Sequence, residues 1–481
     1  MRAAYRVADV RSAEALLLAR LPEGALMARA AAGLARRCAQ LLSESTGLYG
    51  ARVHLLVGAG NNGGDALLAG ALLAARGVAV SAQLLEPDRA DAIAVAALRR
   101  AGGRVVDGAP AVVDLIVDGI VGIGATGGLR PAAMVALTAA AAGRGRDGGR
   151  PLIVAVDLPS GVDPDTGAVP GPAVSADVTV TFGCYKPALL VGPAAERAGL
   201  VDLVDIGLSA VLAAAPALRM ADQADVELWW PRATATSDKY SRGVVGIATG
   251  SAGFPGAAVL SVAGALAGPV GLVRYAGQVR EYVLARHPQV IAAARVAEAG
   301  RVQAWVCGSG SGTDERAAAE LRAVLAAPVP AVLDADAITL LVDGGMADLL
   351  RSRPAALVLT PHDREFARLA GEPVGPDRVA SALRLAAWTN AVVLLKGART
   401  VIAAPDGTAW VNPTGTPGLA TAGTGDVLAG LLGALLAAGV SAARAAVLAA
   451  YAHGLAARRA ARDGVVTSLA VAAALPAVVP H

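Results

Sequence analysis

Residues 52–65 read RVHLLVGAGNNGGD, and this stretch decides the fold of the first half of the chain. Residues 52–57 are mostly apolar, which predicts a buried strand, and a glycine-rich loop follows them directly. We expect a helix over residues 66–76 and a second strand over residues 78–85. A strand, a loop, a helix and a second strand form the β-loop-α-β unit from which parallel sheets are built.

Three further apolar segments of the first half lead into polar or glycine-rich residues. They are residues 112–117 before Asp118 and the loop GIGATGG (122–128), residues 152–156 before DLPSG (157–161), and residues 178–182 before GCYKP (183–187). Uninterrupted apolar strands belong to parallel sheets that are covered on both faces, and ligands bind such sheets at the carboxyl ends of the strands. One aspartate at a strand end is more simply a cap, but four polar motifs at four strand ends predict a ligand site.

The loop after the first of these strands leaves two interpretations open. Residues 58–63 satisfy the dinucleotide-binding pattern G-x-G-x-x-G, although the match is weak because the loop is unusually polar. Its amides and carboxylate are suited to hold sugar hydroxyls or a cation. Together, Asn62, Asp118 and Ser160 supply hard oxygen atoms for a monovalent or divalent cation, and the residues alone do not choose the ion.

In the second half, the most informative stretch is GLATAGTGD (418–426), which precedes an apolar run. Glycines let backbone N–H groups surround an anion, and the start of a helix adds partial positive charge. An aspartate suits such a pocket if it takes a proton from a neighbouring hydroxyl. The stretch therefore predicts phosphoryl chemistry beside a hydroxyl group, with Asp426 as the base. The simpler alternative is a turn in which Asp426 is the helix N-cap.

Strand-loop patterns recur through the second half and predict a second α/β domain. The segments are 244–248 before 250–256, 302–307 before GSGSG (308–312), 331–333 before DAD (334–336), 357–359 before TPHDRE (360–365), and 391–395 before KGART (396–400). Residues 212–225 are rich in alanine and proline with scattered acids, which predicts a linker. We therefore place one domain at residues 1–211 and another at residues 226–481.

The composition excludes several classes of protein. The net charge is +3 over 481 residues and aromatic residues are 3%, so we expect no nucleic-acid binding through a basic face or stacking platform. The longest uncharged run, 243–273, is interrupted by prolines and glycines, so we expect no membrane span. The start of the chain lacks the apolar core of a signal peptide, and we expect a cytoplasmic protein.

Rare residue types mark candidate positions. Of 42 basic residues only Lys186, Lys239 and Lys396 are lysines, so each is a candidate for a role that needs a compact ammonium. The three cysteines lie far apart without metal-ligand spacing, which is typical of reduced core residues.

The first-half motifs resemble a known family. Residues 60–65, Asp118 before its glycine loop, and DLPSGVDPDTG (157–167) are together similar to the N-terminal epimerase domain of the NAD(P)H-hydrate repair enzymes. The resemblance implies a Rossmann-like, three-layer parallel-sheet domain. It assigns potassium to Asn62, Asp118 and Ser160. It assigns the hydrated dinucleotide to Asn61, Asn62, Gly63, Gly64, Asp65, Gly122, Ile123, Gly124, Ala125, Thr126, Gly127, Gly128 and the catalytic Asp157.

The second-half motifs resemble the dehydratase domain of the same enzymes. The combination of TPHxxE, KGxxT and GTGD carries this resemblance and implies a ribokinase-like α/β domain. It assigns the hydrated dinucleotide to Ala257, Gly310, His362 and the catalytic Asp426. It assigns the adenine nucleotide to Lys396, Gly397, Ala398, Arg399, Thr400 and Gly425.

The resemblance implies a bifunctional repair enzyme for NADH and NADPH that carry water across the nicotinamide 5,6 bond. The first domain interconverts the R and S hydrates, and our hypothesis for this step is that Asp157 protonates the departing C6 hydroxyl. The second removes water from the S hydrate with ADP and magnesium, leaving AMP and phosphate. The expected partners are these small molecules and further copies of the chain in a homo-oligomer.

Two other functions stay open at this stage. One is a sugar or vitamin kinase fused to a Rossmann dinucleotide-binding domain, because GTGD suits either chemistry. The other is a nucleotide sensor without catalysis, which the presence of both Asp157 and Asp426 disfavours.

Overall fold

The computed structural model describes residues 1–124, 127–343 and 346–480, which form two compact units. One unit comprises Ala3–Ala217, and the other comprises Met1–Arg2 with Leu218–His481. The division between Ala217 and Leu218 falls inside residues 212–225, the predicted linker.

The first unit is built on a parallel sheet, as the β-loop-α-β pattern predicts. Its strands are β2 (Arg52–Val57), β3 (Ala79–Leu84), β4 (Arg104–Val105), β5 (Leu115–Gly119), β6 (Leu152–Val156), β7 (Val178–Phe182) and β8 (Leu200–Val204), after β1 (Arg2–Ala4), which joins the other sheet. Its helices are α1 (Val7–Leu18), α2 (Ala25–Glu44), α3 (Asn61–Ala74), α4 (Ala92–Arg100), α5 (Pro131–Ala141) and α6 (Gly192–Arg197). Within the described residues this sheet has seven strands in the order β4-β3-β2-β5-β6-β7-β8.

Both faces of this sheet are covered, which explains its uninterrupted apolar strands. On one face, Val53 and Leu55 of β2 pack with α2 and α3, for example against Leu34 and Leu67. On the other face, residues of β2 and β5 pack with α5 in a separate cluster that includes Ile116. The result is the predicted three-layer arrangement of helix, sheet and helix.

Helix α3 begins earlier than predicted. Residues 61–65 form its first turns rather than a loop, and Gly60 is its N-cap. Adjacent asparagines and glycines are typical of loops, so sequence propensity placed the helix start five residues too late. The close approach of the helix to the preceding turn explains Gly63, since a Cβ there would lie 2.2 Å from the carbonyl oxygen of Gly58.

The second unit contains a larger mixed sheet. Its strands are β9 (Leu218–Met220), β10 (Val244–Ala248), β11 (Leu272–Ala276), β12 (Ile291–Ala293), β13 (Ala304–Cys307), β14 (Ala331–Leu333), β15 (Leu357–Leu359), β16 (Val392–Leu395), β17 (Val401–Ala403) and β18 (Ala409–Val411). Its helices are α7 (Gln223–Trp229), α8 (Pro255–Leu266), α9 (Arg280–Arg286), α10 (Glu315–Ala326), α11 (Asp336–Asp343), α12 (Ala347–Ser352), α13 (Asp363–Ala370), α14 (Arg378–Thr389), α15 (Thr424–Ala437), α16 (Ala442–Asp463) and α17 (Ser468–Ala474). Among the described residues the sheet order is β1-β9-β18-β17-β16-β15-β14-β13-β10-β11-β12. Strands β10 to β16 pair in parallel, and β17 runs antiparallel to both β16 and β18.

Helix α15 is buried along almost its whole length, as its apolar sequence predicts. Glycines let it approach α8 closely: a Cβ on Gly430 would lie 1.9 Å from the carbonyl oxygen of Ser261, and one on Gly264 would lie 2.1 Å from that of Val427. The N-cap is Gly423, in the left-handed region with φ 83°. Asp426 is therefore the third helical residue, and the alternative that made it the N-cap is wrong.

The predicted linker is not irregular along its whole length. Leu218–Met220 forms strand β9, which pairs in parallel with β18 through Arg219 and Trp410. Helix α7 then begins at Gln223 behind an Asp222 cap. Leu218 and Met220 are buried against the sheet, and this burial stabilises a strand in spite of the alanine and proline content of the segment.

Within the described ranges, none of the helices combines the length and the hydropathy that a membrane span requires.

Candidate active sites

The first site lies where the strand order of the first sheet changes direction. Strand β2 has β3 on one side and β5 on the other, so the loops that follow β2 and β5 diverge at their carboxyl ends. This is the position at which open parallel sheets bind ligands. Residues 58–65 follow β2 and residues 120–124 follow β5, so the structure brings two of the predicted motifs together.

A cavity of about 630 Å³ opens in this unit. Asn61, Asp65, Glu14 and Phe182 line it together with apolar side chains from α1, α2 and α3. The volume is within the range of small-molecule sites, and the mixture of apolar walls with a few acids and amides is typical of them.

Asp157, at the end of β6, has a strained backbone and three donors. Its φ is 63°, a conformation that costs a non-glycine residue on the order of 1–3 kcal/mol. Its Oδ1 accepts hydrogen bonds from Lys186 Nζ at 2.5 Å, Thr181 Oγ1 at 2.9 Å and the Phe182 amide at 3.3 Å. Lys186 is 1% exposed. The strained turn therefore places the carboxylate on a buried lysine.

Among the described residues, neither Asp65 nor Glu14 forms an ion pair with a lysine or arginine, and burial raises the pKa of both. Burial, followed by the negative charges of Asp157 and Glu14, raises the pKa of Asp65 to about 8. Burial also raises the pKa of Glu14, with Lys186 opposing the shift. Asp65 is 8% exposed and its Oδ1 has no hydrogen-bond partner within the described part of the chain. The first site thus combines an ion-paired carboxylate with an acid that keeps its proton near neutral pH.

The three residues predicted to hold a cation lie together. Ser160 donates to Asp118 through Oγ at 2.6 Å and through its amide at 2.8 Å. Asn62 donates from Nδ2 to the Val156 carbonyl, while its Oδ1 lies 2.7 Å from where a Cβ of Gly122 would stand.

These residues fit a potassium ion. Asp118 is fully buried, and burial raises its pKa to about 6 although Ser160 and Ile120 donate to it. No lysine or arginine pairs with Asp118 among the residues that the structure describes. The donor set consists of carboxylate, amide, hydroxyl and carbonyl oxygens, which suit a hard cation.

The predicted glycine loop is described in part. Gly122 adjoins Asn62. Gly128 packs closely against the backbone at Gly171, where a Cβ on Gly128 would lie 2.8 Å from the Cα of Gly171. Gly64 borders the cavity wall at Met27, where a Cβ would lie 3.2 Å from Cε. Ile123 packs against the main core cluster of this unit. Ala125 and Thr126 lie outside the described residues.

The second site also lies at a change in strand order. Strand β10 has β11 on one side and β13 on the other. Residues 249–256 follow β10, and residues 308–312 follow β13. A Cβ on Gly310, whose φ is 62°, would lie 2.7 Å from Cβ of Ala257. The structure therefore brings together two of the residues predicted to hold the hydrated dinucleotide.

Asp334 is the buried centre of this site. It accepts hydrogen bonds from Ser309 Oγ at 2.9 Å, Thr360 Oγ1 at 2.7 Å and Lys396 Nζ at 2.8 Å. Burial alone favours the protonated acid, but the Lys396 ammonium and the hydroxyls hold the pKa of Asp334 below its usual value. Lys396 Nζ also lies 3.7 Å from Glu365 Oε2. One lysine thus joins the carboxyl ends of β14, β15 and β16.

Asp426 stands beside this network in the first turn of α15. Burial and the negative charges of Asp334 and Asp336 raise its pKa to about 7, against the opposing effects of Lys396 and Ser309. A carboxylate with a pKa near neutrality is suited to take a proton at physiological pH. A Cβ on Gly425 would lie 3.8 Å from Lys396 Nζ, so the start of α15 lies next to the lysine ammonium.

His362 has a structural role that the sequence left open. Its Nδ1 accepts hydrogen bonds from the amides of Arg364 and Glu365, both at 3.1 Å, so it is the N-cap of α13. The side chain remains half exposed. The remaining nucleotide residues follow β16, where Thr400 Oγ1 donates to the Gly397 carbonyl at 3.2 Å and Ala398 adjoins Gly415. Arg399 lies in the same turn.

Comparison with known proteins decides the family. Residues 245–476 match the model described as NAD(P)H-hydrate dehydratase, and residues 23–188 match the YjeF-related protein N-terminus. Over 438 residues the chain is 50% identical to the bifunctional NAD(P)H-hydrate repair enzyme Nnr of Mycobacterium tuberculosis H37Rv, covering 90% of this chain and 89% of that one. The chain belongs to the bifunctional NAD(P)H-hydrate repair enzyme family.

A second family member is similar over nearly the whole chain, and one solved structure is similar over about half of it. The Nnr protein of Mycobacterium leprae is 49% identical over 464 residues, covering 96% of this chain and 95% of that one. The ADP/ATP-dependent NAD(P)H-hydrate dehydratase of Bacillus subtilis, co-crystallised with ATP and Mg²⁺, is 29% identical and covers 54% of this chain and 97% of its own, with a TM-score of 0.47. The predicted repair-enzyme family and the α/β fold class are confirmed.

The sequence missed several residues of these sites. Glu14 lies on α1, far from any motif, and nothing in its local sequence indicates a cavity. Lys186 was marked by the rarity of lysine and by its place in a strand-end motif, but its contact with Asp157 follows from the adjacent positions of β6 and β7 in the sheet. Asp334 was noted at a strand end but received no role. Lys239, the remaining lysine, is exposed and lies 5.1 Å from the ring of Tyr240.

Proposed function

We propose that this protein repairs NADH and NADPH that have taken up water across the nicotinamide 5,6 bond. The first unit would interconvert the R and S hydrates, and the second would dehydrate the S hydrate with ADP. The observation that carries this proposal is that the chain is 50% identical over 438 residues to a bifunctional NAD(P)H-hydrate repair enzyme. In support, an acid with a raised pKa lies among the predicted motifs of each unit, Asp65 in the first and Asp426 in the second.

At the second site, the arrangement supports phosphoryl transfer followed by elimination. Asp426 would take the proton of the C6 hydroxyl as the hydroxyl oxygen attacks the terminal phosphorus of ADP, with AMP as leaving group. The N–H groups at the start of α15 and Lys396 would stabilise the transferring phosphoryl group. The ring nitrogen electrons then expel phosphate, and loss of a C5 proton restores NAD(P)H.

At the first site, loss of the C6 hydroxyl as water leaves a ring cation stabilised by the nitrogen. Return of water to the other face of the ring gives the opposite epimer. The cavity, with Asn61, Asp65 and Glu14 on its wall, would hold the hydrated nicotinamide. The epimerase would convert the R hydrate into the S hydrate, which is the only epimer that the dehydratase takes.

Two cations belong to the proposal. Potassium, held by Asn62, Asp118 and Ser160, would neutralise the buried Asp118 and fix the loop that follows β5. Magnesium would enter with ADP and offset the charge of its phosphates. We also propose a cytoplasmic homo-oligomer, as expected from the sequence.

The test follows the absorbance of the reduced nicotinamide after the full chain is mixed with an R and S mixture of hydrated NADH, ADP, potassium and magnesium. We expect complete recovery of NADH. Recovery that stops at the S fraction would remove the epimerase half of the proposal. No recovery with either ADP or ATP would reject repair altogether.

In that last case the kinase alternative gains support if the chain phosphorylates a small alcohol. A nucleotide sensor would instead bind hydrated NADH and ADP tightly without turnover. The assay therefore separates the three functions.

A further inference from the structure

The two carboxylates of the first site stand in opposite surroundings. Asp157 contacts the buried ammonium of Lys186, which in turn donates to Thr181 Oγ1 at 3.1 Å and to the Phe182 carbonyl at 3.0 Å. A lysine enclosed in this way holds its carboxylate partner in position through a charge-assisted hydrogen bond.

Asp65 has no ion-paired lysine or arginine in the part of the chain that the structure describes. It projects from the second turn of α3 to the cavity wall, and its Oδ1 has no hydrogen-bond partner in the described ranges of the chain. A buried carboxyl group without a donor or counter-ion is stable as the neutral acid, with a proton available to whatever enters the cavity.

The charged groups around Asp65 come from several elements. Glu14 of α1, Glu23 before α2 and Asp91, the N-cap of α4, line the same cavity. Asp157 and the Lys186 ammonium stand at the ends of β6 and β7. Negative groups predominate among these neighbours, and the nearest lysine is already bound to Asp157.

We propose that Asp65, rather than Asp157, is the proton donor of the epimerase site, and that the Lys186-held Asp157 carboxylate is a fixed charge that stabilises the ring cation. This assignment rests on the proposed epimerisation and revises the donor role that we expected of Asp157 from the sequence. Two neighbouring carboxylates whose surroundings differ in this way are suited to divide the acid and electrostatic roles.

The step balances without a further reactant. The nitrogen lone pair forms the ring C=N bond as the C6–O bond breaks, and the Asp65 proton goes to the departing oxygen, which leaves as water. Water then adds to the opposite face of C6, the C=N electrons return to nitrogen, and the proton released returns to the Asp65 carboxylate. Enzyme and substrate each end with the protons they began with.

The experiment measures epimerisation of the purified R hydrate by the full chain, using chromatographic separation of the two epimers and subtracting the rate without enzyme. The proposal expects Asp65→Asn to lower the rate at least about 100-fold. Each variant's dehydration of the S hydrate with ADP reports whether the protein is folded, since that reaction uses the other site.

The pH profile distinguishes a proton donor from a structural residue. A donor works while protonated, so the wild-type rate should fall as pH rises through the pKa of Asp65, about 8. Replacing Glu14 by Gln removes one of the charges that raise this pKa, and should move the fall to lower pH. Replacing Lys186 by Met should slow epimerisation by releasing Asp157.

Three results would overturn the assignment: an Asp65→Asn rate within about threefold of wild type, an alkaline fall that persists in that variant, or a profile unmoved by Glu14→Gln. A wild-type chain that dehydrates the S hydrate but does not epimerise would reject the proposed function of the first site itself. The two failures are therefore distinguishable.

Discussion

Asp426 is the residue whose protonation should control dehydration. Its folded pKa of about 7 is raised, so the carboxylate needed as a base is lost as pH falls through neutrality. We expect the dehydration rate to fall below this pH and Asp426→Asn to abolish it, with R to S interconversion unchanged. Rates of NADH recovery from the pure S hydrate across neutral pH check this. A fully active Asp426→Asn chain would reject the role of base.

Lys396 and Asp334 are expected to depend on each other for stability. Removing one partner of a buried ion pair leaves an uncompensated charge, which costs on the order of 3 kcal/mol. Lys396→Met should therefore lower the thermal unfolding midpoint of the full chain, and Lys396→Met with Asp334→Asn should recover most of the loss. Calorimetry of Lys396→Met, Asp334→Asn and the double variant measures the coupling. Equal midpoints for single and double variants would show that the pair contributes little.

At the residue scale, motifs predicted which residues are candidates for the two sites but not the electrostatics around those residues. Asp118, Asp157 and Asp426 were chosen as candidates from local patterns, because each lies in a short contiguous motif of glycine and polar residues. The Lys186 contact with Asp157 and the exposure of Glu14 to the cavity arise from tertiary packing. Spacing in the sequence carries no signal for either.

At the element scale, the strands were the most predictable part. Residues 152–156, 178–182 and 244–248 were placed at their observed limits, since apolar runs between glycine or polar residues mark buried parallel strands. Helix α3 was placed late because its N-terminal turns carry residues typical of loops. Strand β9 was missed because it lies in a segment rich in alanine and proline, which predicts a linker.

The contact of α8 with α15 makes a prediction about single methyl groups. Gly264→Ala would place a Cβ 2.1 Å from the Val427 carbonyl oxygen, a backbone atom that cannot move without shifting the helix. We expect a loss of about 2 kcal/mol or more, as for other overpacked cores. The matched control is Gly256→Ala in the same helix, where nothing lies within 4 Å of the new Cβ.

Thermal unfolding of the full chain measures both variants. The control should melt at or slightly above the wild-type midpoint, because alanine favours helix over glycine. If Gly264→Ala melts with the control, the two helices separate easily and the close approach does not limit packing.

At the scale of the whole molecule, each unit has its own sheet, core and acid-containing site, so the two activities should depend on different ions. Asp118 is a buried carboxylate that lacks an ammonium or guanidinium partner in the described structure, and a cation there would offset the cost of its burial. Exchange of potassium for a bulky organic cation should therefore abolish epimerisation and leave dehydration of the S hydrate intact.

Removal of magnesium should have the opposite effect, with loss of dehydration and retention of epimerisation. Chelation of magnesium should stop dehydration with ADP while the R and S hydrates continue to interconvert. An Asp118→Asn chain removes the buried charge, and its residual epimerisation should no longer respond to potassium. A chain whose epimerisation proceeds at the full rate without potassium would show that Asn62, Asp118 and Ser160 form a structural cluster, in which hydrogen bonds from Ser160 and the Ile120 amide stabilise Asp118 without a cation.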